Sequence, residues 1–206
     1  MAHSYEYKHA NTQYSCRSHK HLCIEASSPS HAVALLALTI ALMVVGAWIS
    51  VPLGPVPFTL QTFALMLALM ILPLRLSVAA TACYLLLGAI GLPVFASMHG
   101  GLGIYFGPTG GFIWGFFLGM VIAGALCYAL ENVVHNFVVT RAIAGVVFSL
   151  VVHVCGLMQF MAVMHADIVK ALMVTTAPFA VVDVLKIVVA VIVASAVVRA
   201  LRHRAA

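Results

Sequence analysis

The chain has 206 residues, 64% of them hydrophobic and 7% charged, with a mean hydropathy of +1.15. A soluble domain carries about a quarter of its residues as charges, so this composition excludes one and describes an integral membrane protein. The net charge of +5 would suit nucleic acid, but the cations lie at the ends and in loops instead of forming a stripe; no nucleic-acid partner is expected, and membrane topology accounts for them.

Residues 1–30 are polar, with Lys8, Arg17 and Lys20 against Glu6 and Glu25, and are expected to form a flexible tail. The first apolar run begins near His31 and is long enough to span, so no cleaved leader is expected. Within the tail, Cys16, His19, His21 and Cys23 stand in CRSHKHLC at no zinc spacing, and no metal site is assigned. Cys83, Cys127 and Cys155 fall inside spans and read as small core residues.

From about Ala32 to Val198 the chain has room for about six helices at roughly 20 residues a span. The expected fold is therefore an all-α, six-helix membrane bundle forming a single domain over 31–206. The first span runs over 32–50 and stops at SVPLGPVPF, where Pro52, Pro55 and Pro57 forbid continuation. The second, 59–72, ends before Pro73, and its shortness suggests a tilted or sheltered helix. The third covers 76–90, the fourth 110–130, the fifth 138–164 and the sixth 178–198, with Pro178 in the first helical turn, where its missing donor costs nothing.

Between the third and fourth spans, from Gly88 to Gly111, glycines and prolines are too closely placed to continue a helix, and no Asp, Glu, Lys or Arg interrupts them. Irregular backbone at membrane depth is tolerated where protein or a water-filled cavity satisfies its amides. The connector, Gly101 included, therefore reads as a cap over a small-molecule site.

With six spans both termini share a side. That side holds Lys8, Arg17, Lys20, Arg75, Arg141, Arg199, Arg202 and Arg204, against Lys170 in a loop on the other. Basic residues favour the cytoplasm, so both termini are predicted cytoplasmic and the connector outward.

Asp183 and Lys186, in APFAVVDVLKIVVA, read as the acid and base that stand together inside a span, and they share a helical face. A charge at the bilayer centre costs about 2.5 kcal/mol or more. Either the pair neutralises itself and snorkels outward, or it faces a ligand; the burial cost favours the ligand. Lys186 suits a carboxylate and Asp183 suits N–H donors, which describes a polar, anionic small molecule with amide-like hydrogens. Gln61 serves either that ligand or helix packing. Tyr84 is a core residue with a satisfied hydroxyl or a ligand contact. Phe95, Tyr105, Phe112 and Trp114 either wall the ligand or anchor at the interface.

Gly111, Gly115, Gly119 and Ala123 recur every four residues on the fourth span, a spacing that lets helix backbones approach closely. Ala37 and Ala41 do the same on the first, for packing or for docking another subunit. No G-x-x-x-x-G-K-[ST] loop is present, so the chain has no P-loop with which to hydrolyse ATP. His99, His135, His153 and His165 form no H-E-x-x-H array, no Ser-His-Asp order stands out, and His153 reads as a hydrogen-bonded core residue in preference to a proton relay. Nothing assigns a catalytic residue or a bound cofactor, and no enzyme is expected.

Taken in order, VPLGPVPFTLQTFALMLA, YLLLGAIGLPVF, GGLGIYFGPTGGFIWGF and PFAVVDVLK resemble the BioY family of biotin transporters, the S components of energy-coupling factor transporters. The resemblance covers about 51–190. It implies a six-helix S-component fold in the cell membrane and high-affinity capture of biotin from outside. It also implies delivery inward with a transmembrane T subunit and two ATPases, which use the ATP, and a docking face for the T subunit at Ala37 and Ala41. Biotin's carboxylate would match Lys186 and its ureido N–H groups Asp183, although sequence does not fix which end meets which residue. Phe112 stands where the family commonly has tyrosine, and the tail has no counterpart. Two other readings stay open: a self-sufficient proton-coupled vitamin transporter with Asp183 as the carrier, and a membrane scaffold. A homo-oligomer is open as well.

Overall fold

The computed structural model describes residues 28–52, 56–134 and 136–205. The expectations placed on the tail, with Cys16, His19, His21 and Cys23, and those on Pro55 and His135 fall outside these residues. Helix α1 (Pro29–Trp48) is opened by Ser28, whose hydroxyl oxygen accepts the His31 N–H at 3.2 Å, a side-chain cap for an otherwise orphan donor. The break at the prolines proves to be a hairpin. Strand β1 (Ser50–Val51) pairs antiparallel with β2 (Phe58–Thr59), Ser50 opposite Thr59.

Helix α2 (Gln61–Ile71) follows, and every residue from Ala64 to Met70 is buried. A helix that is apolar and covered all round belongs at the centre of the bundle, which explains how a span of 11 residues is tolerated: it is sheltered by its neighbours. Leu72 ends it, its N–H still reaching the Ala68 carbonyl, and Pro73 caps α3 (Leu74–Ala89). Arg75, expected in a loop, is therefore in the first turn of α3.

The connector is more ordered than its glycines suggest. It contains a 3-10 turn (Ala96–Met98) and a short helix, α4 (Leu102–Phe106). The glycines flank α4 and leave Gly103 alone inside it, so the connector is irregular at its two ends and helical between them. Gly101 has φ +102°, a conformation open to glycine and strained for other residues.

Helices α5 (Gly110–Glu131) and α6 (Phe137–Met164) form a close antiparallel pair. Gly111, Gly115 and Gly119 face α6; a methyl group at Gly115 would stand 2.9 Å from the Val152 Cα, and one at Gly119 3.0 Å from the Phe148 ring. The four-residue glycine stripe is thus a helix-packing face. A helix that the sequence reading did not foresee, α7 (Ile168–Thr175), is opened by Asp167, whose carboxylate accepts the Val169 N–H at 3.2 Å. Helix α8 (Ala177–Ala205) completes the chain, with Pro178 as its second residue.

Among the described residues, four stretches are long and apolar enough to cross a membrane: Pro29–Trp48, Gly110–Glu131, Phe137–Met164 and Ile168–Ala200. Helices α2 and α3 are apolar but shorter. The molecule is an all-α membrane protein.

Arg141 departs from its expected place among loop cations. It is buried inside α6, with Nη2 2.6 Å from Glu131 Oε1 and Nη1 2.7 Å from Cys127 Sγ. Glu131 and Arg141 are thus a second buried acid and base, beside Asp183 and Lys186. The Glu131–Arg141 pair fastens the end of α5 to the start of α6, and its partners stand on either side of a turn, where helical spacing gives no sign of them.

Candidate ligand chamber

A chamber of about 500 Å³ lies beneath the connector, within the usual range of roughly 300–1,000 Å³ for a small-molecule site. The β-hairpin supplies Pro57 and Thr59 and α2 supplies Gln61 and Thr62. Phe95 and Ser97 enter from the connector, Phe112 and Phe116 from α5, Val152 and His153 from α6, and Phe179, Asp183 and Lys186 from α8.

On α8 the apolar residues turn outward and the charges inward. Val181, Val184 and Leu185 are 78%, 62% and 61% exposed, whereas Asp183 and Lys186 are 5% and 6% exposed. The outward reading, with both charges snorkelling toward the headgroups, is thus not the arrangement adopted. Lys186 Nζ donates to the Thr59 carbonyl at 2.9 Å and to the Thr62 hydroxyl at 2.7 Å, stands 3.4 Å from Asp183 Oδ1, and lies 4.4 Å from the centroid of the Phe58 ring. Burying charges is expensive unless they are paired and hydrogen-bonded; here both conditions are met, and α8 is tied to the hairpin and α2. Asp183 Oδ2 accepts from the Ser149 hydroxyl at 2.9 Å and stands 3.6 Å from His153 Nε2.

Packing therefore assembles a Ser-His-Asp group that the order of the chain did not suggest. The hydroxyl hydrogen goes to the carboxylate, and the imidazole Nδ1 lies 2.9 Å from the Ser149 carbonyl. An activated nucleophile would donate to the imidazole, so the arrangement is a hydrogen-bonded anchor for Asp183.

Gln61 is 4% exposed, and its Nε2 has no acceptor among the described residues. A buried amide donor left without a partner costs about 1–3 kcal/mol, which a ligand acceptor in the chamber would recover. Phe95 and Phe112 line the chamber as well.

Two sequence candidates stand outside the wall. Tyr84 is fully buried and its hydroxyl donates to the Val94 carbonyl at 2.8 Å, while its ring meets Phe95 edge-on with centroids 5.5 Å apart. Gly101 donates its N–H to the Gly88 carbonyl at 2.7 Å. Both shape the connector and neither lines the chamber. Gly88 itself leaves room for Phe95, since a Cβ there would overlap the phenyl ring.

The connector is held by further side-chain bonds. Trp48 Nε1 donates to the Pro93 carbonyl at 2.8 Å, the Tyr105 hydroxyl to the Leu85 carbonyl at 2.5 Å, and Gln159 Nε2 to the Tyr105 and Gly107 carbonyls at 2.7 and 2.9 Å. Burial pushes the Tyr105 phenol above its ordinary range and so keeps its hydroxyl a donor. Tyr105 and Trp114 stack edge-on behind Phe95, and Trp114 is half-exposed on the outer surface. His153 and Gln159 are the residues that sequence reasoning missed. Gln159, in a long apolar helix, was open to the same question asked of Gln61; His153 was read as a core residue, and its place beside Asp183 emerges only with α8 packed against α6.

Comparison with known proteins adds an independent line. A family model described as the BioY family matches residues 18–203, wider than the 51–190 on which the sequence resemblance rests and reaching into the tail. The biotin transporter BioY of Thermotoga maritima is 44% identical over 154 residues, 75% of this chain and 88% of that protein. The biotin transporter BioY2 of Lactococcus lactis subsp. cremoris is 35% identical over 173 residues, 84% and 93% of the two chains. Among solved structures, that of the S-component for biotin from an ECF-type ABC transporter superposes with a TM-score of 0.74, covering 84% of this chain and 92% of that one at 22% identity; a likeness at that identity is one of fold.

Proposed function

The chain belongs to the BioY family, and from that premise we propose that it is a biotin-capturing S component of an energy-coupling factor transporter, a multi-pass protein of the plasma membrane. Helices α1, α2, α3, α5, α6 and α8 cross the bilayer as one domain, with both termini cytoplasmic and the chamber open toward the outside. Biotin is held by Asp183, Lys186 and Gln61 among the walls of Phe95 and Phe112, while Tyr84 and Gly101 keep the connector in place above it. A T subunit docks at Ala37 and Ala41, and two ATPase subunits hydrolyse the ATP that this chain has no P-loop to use.

The observation that carries this reading is the convergence, in one apolar-walled chamber, of an inward-facing acid and base with a carboxamide whose nitrogen has no acceptor among the described residues. An amphiphilic ligand with a carboxylate, cyclic N–H donors and an apolar ring fits that set. The test is equilibrium binding of radiolabelled biotin to the purified chain. Asp183→Asn and Lys186→Ala should each weaken binding about 30-fold or more, the effect of removing one member of a buried charge pair. Unchanged affinity in both variants would remove the two residues from the site.

A further inference from the structure

The chamber wall is buried in one part and open in another. Gln61, Phe116, Val152, Asp183 and Lys186 are buried, whereas Pro52, Ser97, His99 and Gly103 line the same cavity and are exposed, which makes them its mouth. The mouth has room to spare beside α4, since a Cβ built on Gly103 would meet nothing within 4 Å.

Cations are scarce around this cavity. Between Ala32 and Val198 the lysines and arginines are Arg75, Arg141, Lys170 and Lys186, and of these Lys186 alone lines the chamber. Arg141 is paired with Glu131, and Lys170 is exposed on α7. The other lysines and arginines of the chain precede Ala32 or follow Val198, on segments that the proposed topology puts on the cytoplasmic side. Lys186 itself is spoken for. Its Nζ donates to the Thr59 carbonyl and the Thr62 hydroxyl, and its charge is offset by Asp183 Oδ1 at 3.4 Å, so the pair adds no net charge to the buried wall.

An anion taken into that wall would be a lone charge in surroundings of low dielectric, which is costly. At the exposed mouth the same anion keeps its water, and there its charge interacts weakly with whatever stands near. The buried wall suits a neutral cyclic urea instead. Such a ring has N–H donors and one carbonyl acceptor; Asp183 offers carboxylate lone pairs, and Gln61 Nε2, which has no acceptor among the described residues, offers a hydrogen.

We propose that this chamber reads the ring of biotin and not the charge of its acid end, so that neutral amides and esters of biotin are ligands of this chain on a par with biotin. The class includes the amide that biotin forms with the side-chain amine of lysine, whose own ammonium and carboxylate remain in water beyond the mouth. A reaction that supplies such a ligand is the hydrolysis of peptide bonds on either side of a biotin-bearing lysine. The inference rests on the reading that the chamber takes biotin.

The test is equilibrium competition against radiolabelled biotin on the full chain in lipid nanodiscs. Unlabelled biotin, biotin carboxamide, biotin methyl ester and the lysine amide should compete within about tenfold of one another, the limit set by one charge interaction in water. Biotin methylated at a ureido nitrogen should compete at least about 30-fold more weakly, because a donor to the buried wall is lost. Gly103→Phe, which narrows the mouth, should weaken the lysine amide about tenfold more than it weakens biotin. A loss beyond about tenfold for the carboxamide would show that the acid is read as a charge and would overturn the proposal. So would such a loss for the lysine amide, full competition by the methylated ring, or equal effects of Gly103→Phe on both ligands. If Gly103→Phe does not fold, competition on the unaltered chain decides alone. If biotin itself does not bind, the proposed function fails, and this inference falls with it.

Discussion

Gln61 carries a carboxamide whose Nε2 finds no acceptor among the described residues although it is almost fully buried. Such a group lowers the stability of the empty protein and raises its affinity for whatever supplies the acceptor. Gln61→Leu should therefore melt at the same temperature as the unaltered chain or higher, yet bind biotin about tenfold more weakly; a thermal-shift series with and without biotin measures both, and full affinity would assign the amide to packing alone. Single residues were readable from sequence where a polar group interrupts an apolar span with no local partner, as Asp183, Lys186 and Gln61 do. They were not readable where the chemistry arises between helices. The hydroxyl of Tyr84 is spent on the Val94 carbonyl, and His153 meets Asp183 across the α6–α8 contact; neither fact is encoded in spacing along one helix.

At the level of the elements, the close approach of α5 to α6 depends on side chains that are missing. Gly115→Val would press against the Val152 backbone and should destabilise the protein by about 1–3 kcal/mol, the cost of overpacking. Gly103→Ala, where a methyl group would meet nothing within 4 Å, should be neutral or mildly stabilising, since alanine favours helix over glycine. Thermal melting of the two variants checks the contrast, and equal loss in both would mean that the glycine stripe is not the packing face. That stripe was visible as a four-residue repeat, as were most helix ends marked by proline. Helix α7 escaped notice because it sits inside an apolar stretch running from Ile168 to Ala200, where the break near Thr176 has no proline or glycine before Pro178 to announce it. The Glu131–Arg141 pair escaped because a turn separates its members.

For the whole molecule, α1 is the helix least enclosed by the others. Ala37 and Ala41 are exposed along it, beside exposed Leu38 and Leu42, so a shallow small-residue track faces away from the bundle. Close helix approach at small residues is how membrane helices associate. Ala37→Leu with Ala41→Leu should leave biotin affinity unchanged while reducing co-purification of the T subunit at least several-fold; an undiminished complex would move the docking face elsewhere. Helix α8 has a different bearing on the assembled molecule, through the ammonium that ties it to Thr59 and Thr62. Two of the three ammonium hydrogens are given to the hairpin and to α2. On the proposed function, cargo that took either of them would loosen the last helix from the second, and loading would be a trade, not an addition.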